Sequence, residues 1–212
     1  MKIGDTIWLL LLACVFALLA VPATHRAFVA ATASHPYLVG FAKFFVLATM
    51  GELLARRIAT GVWKTPAGLL ARAVIWGVLG ITIVLVFEVF AGGVAGALKK
   101  GLLPGGDSRL AFALFVSAIM NLTFAPAMML FHRVTDTFID LRHARPGTRI
   151  SLDEVVAAID WRGFVSFVLV KTIPLFWIPA HTVTFLLAPE YRVLAAALLS
   201  IALGAILAFA KR

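Results

Sequence analysis

Residues 73–98 read AVIWGVLGITIVLVFEVFAGGVAGAL, a run in which Glu88 is the single charge. An uninterrupted apolar stretch of 18 or more residues is the mark of a transmembrane helix, because the hydrocarbon core of a bilayer is roughly 30 Å thick and a helix rises 1.5 Å per residue. Gly77, Gly80, Gly92, Gly93 and Gly96 thin this helix for close contact with neighbours.

Working outward from it, five more runs have the same character. Residues 6–23 carry no charge and follow Met1-Lys2, so they read as a span or as a signal peptide, with Val21-Pro22-Ala23 resembling a small-residue cleavage site. The run is long for a signal core, and the retained helix is preferred. His35-Pro36 opens a span over 36–58 with Lys43 and Glu52 inside it, and residues 110–131 are uncharged but contain Asn121 and Pro126. Residues 163–187 hold Lys171, Pro174, Pro179 and His181, and residues 193–210 are uncharged, with Ala196, Ser200, Gly204 and Ala208 recurring every fourth position. The expected fold is all-α: one domain over 1–212, a polytopic membrane bundle of about six helices spanning 6–23, 36–58, 73–98, 110–131, 163–187 and 193–210. Residues 132–162 are polar and read as an interfacial segment. It extends the fourth span, turns at Arg145-Pro146-Gly147 and restarts as a helix on a Ser151/Glu154 capping box, which puts Val155, Val156 and Ile159 on one face.

Composition agrees. Hydrophobic residues make up 62% of the chain and charged residues 14%, against about a quarter charged in soluble domains, and the mean hydropathy is +1.02. The net charge of +9 sits in short clusters between apolar runs rather than along one face, so it speaks for membrane orientation and against a nucleic-acid partner. With six alternating spans, twelve Lys and Arg fall on one side: Lys2, four over 56–72, five over 133–162, and Lys211 with Arg212. Five fall on the other, namely Arg26, Lys99, Lys100, Arg109 and Arg192. The positive-inside rule then places both termini in the cytoplasm, most simply of a bacterial cell, with an organellar membrane as the alternative. Cys14, the one cysteine, admits no intrachain disulfide.

Ionisable residues inside spans cost about 2.5–3.5 kcal/mol each on insertion scales and need partners or water. Lys43 and Glu88 lie at similar depths, about 10 and 8 Å from the outer ends of their helices, and are expected to pair. Glu52 and Lys171, about 6 and 12 Å from the inner surface, form a looser second pair for which Arg56 competes. Such pairs either neutralise each other between packed helices or line a watery path. Pro126, Pro174 and Pro179 remove amide donors and kink their helices. The stretch from Lys171 to Thr184 is the candidate lining of a polar vestibule open to the inner side and faced by Glu52 and Asn121, against a kink that serves packing alone. His132, Asp136 and Asp140 at four-residue spacing read as a solvated helix face rather than metal ligands. Asn121 is expected to bond across helices, and His181 to sense protons or to pack on Trp177.

His35-Pro36 before a helix, Gly51-Glu52 with Arg56, Phe124-Ala125-Pro126, then Trp177, Pro179, His181, Thr184-Phe185, Pro189 and Tyr191-Arg192-Val193 follow one another in a familiar order. The pattern resembles the family of small integral membrane proteins typified by the twenty-two-kilodalton peroxisomal membrane protein and mitochondrial Mpv-seventeen, as a distant, bacterial-type member, from about residue 26 onward. His181 stands where the family has Gln, Thr184 where it has Asn and Glu52 where it has Asp, and the stretch 177–192 is about one residue short. The resemblance implies channel-like or permeability-related behaviour without a cofactor.

These readings converge on a small channel or transporter-like protein for modest polar solutes. Its pathway residues would come from Lys43, Glu52, Glu88, Asn121, Lys171, Pro174, Trp177, Pro179, His181 and Thr184. The alternative is a membrane scaffold or assembly partner without a conduit, a homo-oligomer included, joined through the small-residue seams at 92–96 and 196–208. An enzyme is not expected, since the sequence has no clustered His/Asp/Glu motif and no glycine-rich phosphate loop, and no metal or other cofactor is called for. The partner the composition demands is the lipid bilayer.

Overall fold

The computed structural model describes residues 3–210, and within them six helices are long and apolar enough to cross a membrane. The chain runs α1 (Ile3–Ala20), α2 (Pro22–Ser34), α3 (Pro36–Thr60), α4 (Leu69–Lys99), α5 (Arg109–Ala144) and α6 (Leu152–Ala158). A rod then spans Trp161–Leu186, made of α7 (Trp161–Gly163), a π-helix (Phe164–Trp177) and α8 (Ile178–Leu186), and α9 (Pro189–Ala210) follows. No strand occurs among the described residues. The protein is an all-α bundle of a multi-pass membrane protein.

Proline punctuates the rods as its chemistry requires. Pro22 pushes Val21 out of the helical region, to ψ 120°, so α1 stops and α2 starts in a new direction. α2 occupies the stretch between the first two expected spans. Pro36 and Pro189 likewise begin helices, where a missing N–H costs nothing.

α3 is the central helix, held between α4 and α9. A Cβ on Gly80 would lie 2.4 Å from the carbonyl oxygen of Gly40, so the α3 and α4 backbones touch only because both residues are glycine. A Cβ on Gly204 would lie 2.9 Å from the Gly51 carbonyl, which fixes α9 against the other end of α3. Ala196 and Ala197 of α9 are buried in the core. Within the chain only some of the small residues make such contacts. Gly77, Gly80 and the 196–204 row make close contacts, whereas Gly92, Gly93 and Gly96 have nothing within 4 Å. The side chain of Ala208, with Lys2, Lys211 and Arg212, lies outside the described residues.

α1 buries no residue fully, yet Trp8, Leu12, Val15 and Leu19 recur at helical spacing and pack on the core. Its polar anchors are specific. Trp8 Nε1 donates to the Met50 carbonyl at 3.0 Å, and Asp5 accepts from Arg57 Nε at 3.0 Å and from Trp63 Nε1 at 2.8 Å.

α5 has 36 residues, about 54 Å at 1.5 Å each, and overshoots a roughly 30 Å hydrocarbon core. Beyond it the capping box forms as expected: Glu154 N–H donates to Ser151 Oγ while Ser151 N–H donates to Glu154. That amide, and then Arg145 at 2.6 Å, hold the Glu154 carboxyl below its ordinary range.

Candidate functional site

The residues that could act on a solute lie in three adjoining regions, strung along one stripe of α4. Arg72, Trp76, Ile83 and Phe87 are spaced at 4, 7 and 4 residues and so share a face.

At one end stands Arg72, only 2% exposed. Its Nε donates to the Ala67 carbonyl at 3.0 Å and its Nη2 to Asp140 at 2.6 Å, while Nη1 lies 2.8 Å from Asp136 and 3.5 Å from Glu52. The Asp136 Oδ1 contact lacks hydrogen-bond geometry despite its length, so it is Coulombic. Arg56 adds a 3.6 Å pair to Glu52. The His132 ring lies 4.2 Å from that of Trp76, tilted by 41°, and approaches Asp136 to 3.5 Å. One guanidinium therefore ties α3, α4 and α5 together. Glu52 Oε2, His132 Nε2 and Trp76 Nε1 are buried without hydrogen-bond partners, which marks this cluster as a polar lining not satisfied by the protein alone. Gly68, at φ 63°, lets α4 start here, since a Cβ would strike Ile139 on α5.

In the middle lies a cavity of about 40 Å³ walled by Trp76, Phe44, Phe87, Trp177 and Met120, Met128 and Met129, with Asn121 and His181 as its polar rim. Asn121 Nδ2 donates to the Ser117 carbonyl at 2.8 Å, and the Asn121 amide meets His181 Nδ1 at 3.0 Å from Nδ2 and 3.2 Å from Oδ1, the tautomer deciding which side donates. His181 stacks on Trp177, with ring centroids 5.0 Å apart, and meets the edge of Phe87 at 5.8 Å. Ser117 Oγ donates to the Ile178 carbonyl at 2.7 Å. That bond supplies a protein donor where the π-helix passes into α8, as a backbone irregularity at membrane depth requires. In the π register Thr172 Oγ1 donates to Phe167, five residues back, and by the same count Pro174 leaves Leu169 rather than Val170 without its amide donor.

At the far end a cavity of about 370 Å³ is lined by Lys43, Glu88, Glu190 and Arg192, with Thr32 of α2 and Phe87. Lys43 Nζ donates to Thr32 Oγ1 at 3.2 Å and sits 4.6 Å from the centre of the Phe28 ring.

The structure thus sorts the residues singled out by sequence. Asn121, Trp177 and His181 come together as expected, with His181 packed on Trp177. Lys43 and Glu88 share one cavity but form no ion pair among the described residues, because α2 supplies Lys43 with Thr32 and Phe28 instead. Glu52 pairs with Arg72 and Arg56, not with Lys171. The Lys171 side chain is exposed on the outward face with Val170 and Leu175. The vestibule expected from Lys171 to Thr184 therefore reduces to Trp177 and His181. Pro174 is half-buried and Pro179 exposed, and Thr184 is buried with its hydroxyl on the Ala180 carbonyl. His132 and Asp136 are not a solvated face: with Asp140 they turn toward Arg72, and no metal-holding group exists among the described residues. Arg72 itself, counted from sequence as a loop cation, is the residue that reading missed.

No family model, curated protein or solved structure matches the chain.

Proposed function

We propose that this protein is a small channel or transporter-like conduit for modest polar solutes, held in a closed state. What carries the reading is the continuity of the three regions. Trp76 belongs to both the Arg72 cluster and the central cavity, and Phe87 to both the central and the Lys43-end cavities. From Arg72 to Phe87 the shared stripe of α4 covers about 22 Å, most of the roughly 30 Å hydrocarbon core. Charged vestibules flanking an apolar constriction are the arrangement of a pore that gates by dewetting. A long π-helix beside the constriction is consistent, since π geometry concentrates at functional sites.

In this reading the Arg72 end faces the cytoplasm of a bacterial cell. With Arg72 withdrawn from the loop count, eleven loop cations still oppose five. A distant relationship to the small membrane proteins that the motifs resemble belongs to the same proposal. The test is solute efflux from proteoliposomes. Expected is leakage of small polyols and amino acids above that of empty liposomes, reduced by Phe87→Trp. Efflux at the empty-liposome rate for every solute sinks the conduit.

A scaffold reading draws on one observation, the open glycine face Gly92, Gly93 and Gly96 of α4. If it holds, Gly93→Leu changes the oligomeric mass of the protein in nanodiscs while solute efflux stays at background.

A further inference from the structure

The Lys43-end cavity presents four charges, and no ion pair closes between them among the described residues. Lys43 is 7% exposed, and its ammonium, which has three donors, uses one on Thr32 and rests on the Phe28 ring. Arg192 spends Nε on the Leu187 carbonyl, at 3.1 Å, and its guanidinium lies 5.4 Å from the Phe185 ring centre. Glu88 and Glu190 line the same space, yet neither cation makes an ion pair with them among the described residues. Glu88, which is exposed, and Glu190 act on Arg192 through space without closing on it. Each cation is held in place by other groups: a ring and a hydroxyl for Lys43, rings and a carbonyl for Arg192.

Fixed and separated charges of both signs favour a guest that carries both. A simple anion drawn to Lys43 and Arg192 would meet repulsion from Glu88 and Glu190, and a simple cation the reverse. A compact molecule with an oxyanion at one end and an ammonium at the other satisfies both pairs at once. The volume of about 370 Å³ is within the range of roughly 300–1,000 Å³ found for small-ligand sites.

We infer that this cavity is a binding site for a small zwitterion bearing an oxyanion and an ammonium, the oxyanion toward Lys43 and Arg192 and the ammonium toward Glu88 and Glu190. The guest is either a free solute, such as an amino acid or aminoalkyl phosphate, or the headgroup of an ethanolamine lipid. The inference names the solute class of the proposed conduit and rests on that reading for passage, but not for binding.

The test is calorimetric titration of the full-length purified protein at fixed ionic strength with glycine, γ-aminobutyrate and phosphoethanolamine, against acetate and methylammonium as single-charge controls. Expected is saturable binding of at least one zwitterion and of neither control. Glu88→Gln, at an exposed position that leaves packing intact, weakens it by at least about tenfold, and Lys43→Gln does the same while Lys43→Arg retains it. A parallel arm measures by native mass spectrometry whether ethanolamine lipid, rather than choline lipid, stays bound to the wild type and is lost in Glu88→Gln. Lipid retention with no response to the free solutes assigns the headgroup as the guest. Equal binding of acetate or methylammonium, or no guest in either arm, overturns the inference. Binding without efflux from proteoliposomes keeps this site and removes the conduit, whereas efflux without binding does the reverse.

Discussion

Arg72 shows what a single residue contributes at depth. Its guanidinium holds carboxylates from two neighbouring helices, and with the side chain 2% exposed there is no water to replace it. Arg72→Leu takes the nearest cation from Asp136 and leaves Glu52 with Arg56 alone, and is expected to cost about 3–5 kcal/mol, the usual cost of breaking a buried ion pair from one side. Arg72→Lys recovers little, because a point charge cannot reach three acceptors at once. Adding Glu52→Gln and Asp136→Asn to Arg72→Leu restores part of the loss. Thermal unfolding in detergent checks this, and a melting point for Arg72→Leu equal to that of the wild type would show the cluster to be structurally idle. Sequence reading placed Arg72 in a loop because it stands just before the uncharged run, and nothing local to it says that α3 and α5 bring acids to that level. Asn121 was more legible, since an amide at mid-span must find a partner, though only the fold names His181.

At the scale of the element, the spans were readable because an absence of charge over a membrane thickness has one physical solution. Which face each helix turns inward was not. Gly80 and Gly93 look alike in sequence, yet one meets the Gly40 carbonyl and the other nothing. Gly80→Leu is therefore expected to force α3 and α4 apart and destabilise by about 1–3 kcal/mol, while Gly93→Leu in the monomer stays within about 0.5 kcal/mol of wild type. Equal melting points for the two variants would refute the close crossing. α2 escaped notice because 13 residues holding Thr, His and Arg match no membrane template, and the π register escaped because residue spacing does not encode a five-residue hydrogen-bond step. The capping box of α6, in contrast, was fully legible, since every contact in it is local. Its Glu154 carboxyl sits below the ordinary glutamate range, so the ordering it contributes is complete above that range and fades as pH falls through the depressed value. Hydrogen exchange over residues 151–158 should quicken on acidification in the wild type and be fast and pH-insensitive, once corrected for intrinsic rates, in Glu154→Gln. An acid step that persists in the variant assigns the effect to another group.

For the whole molecule, orientation and closure go together. Charged residues crowd the loops beside the Arg72 end, and a reporter active only outside the cytoplasm, fused at either terminus, is expected to stay silent; a bright C-terminal fusion would reverse the bundle. The central cavity, at about 40 Å³, has room for about three waters at roughly 10–15 Å³ each, and its walls are mostly Phe, Trp and Met, so no continuous water column passes. Phe87 is the partition. It is 5% exposed, its ring lies 4.9 Å from that of Phe185 and 5.8 Å from that of His181, and it borders the large cavity on its other side. Phe87→Ala removes the partition and should merge the two cavities, at a stability cost of about 3–5 kcal/mol. Ala125, 5% exposed and lining the central cavity, is the place to detect it. In a Cys14→Ala background, Ala125→Cys is expected to resist a water-soluble thiol reagent added from the Lys43 side, and to react once Phe87→Ala is present. Adding Phe87→Leu instead should give an intermediate rate, because Leu fills most of the space. A folded Phe87→Ala protein in which the cysteine stays protected would mean that the constriction lies elsewhere, and that the two cavities are separate pockets of a sealed bundle.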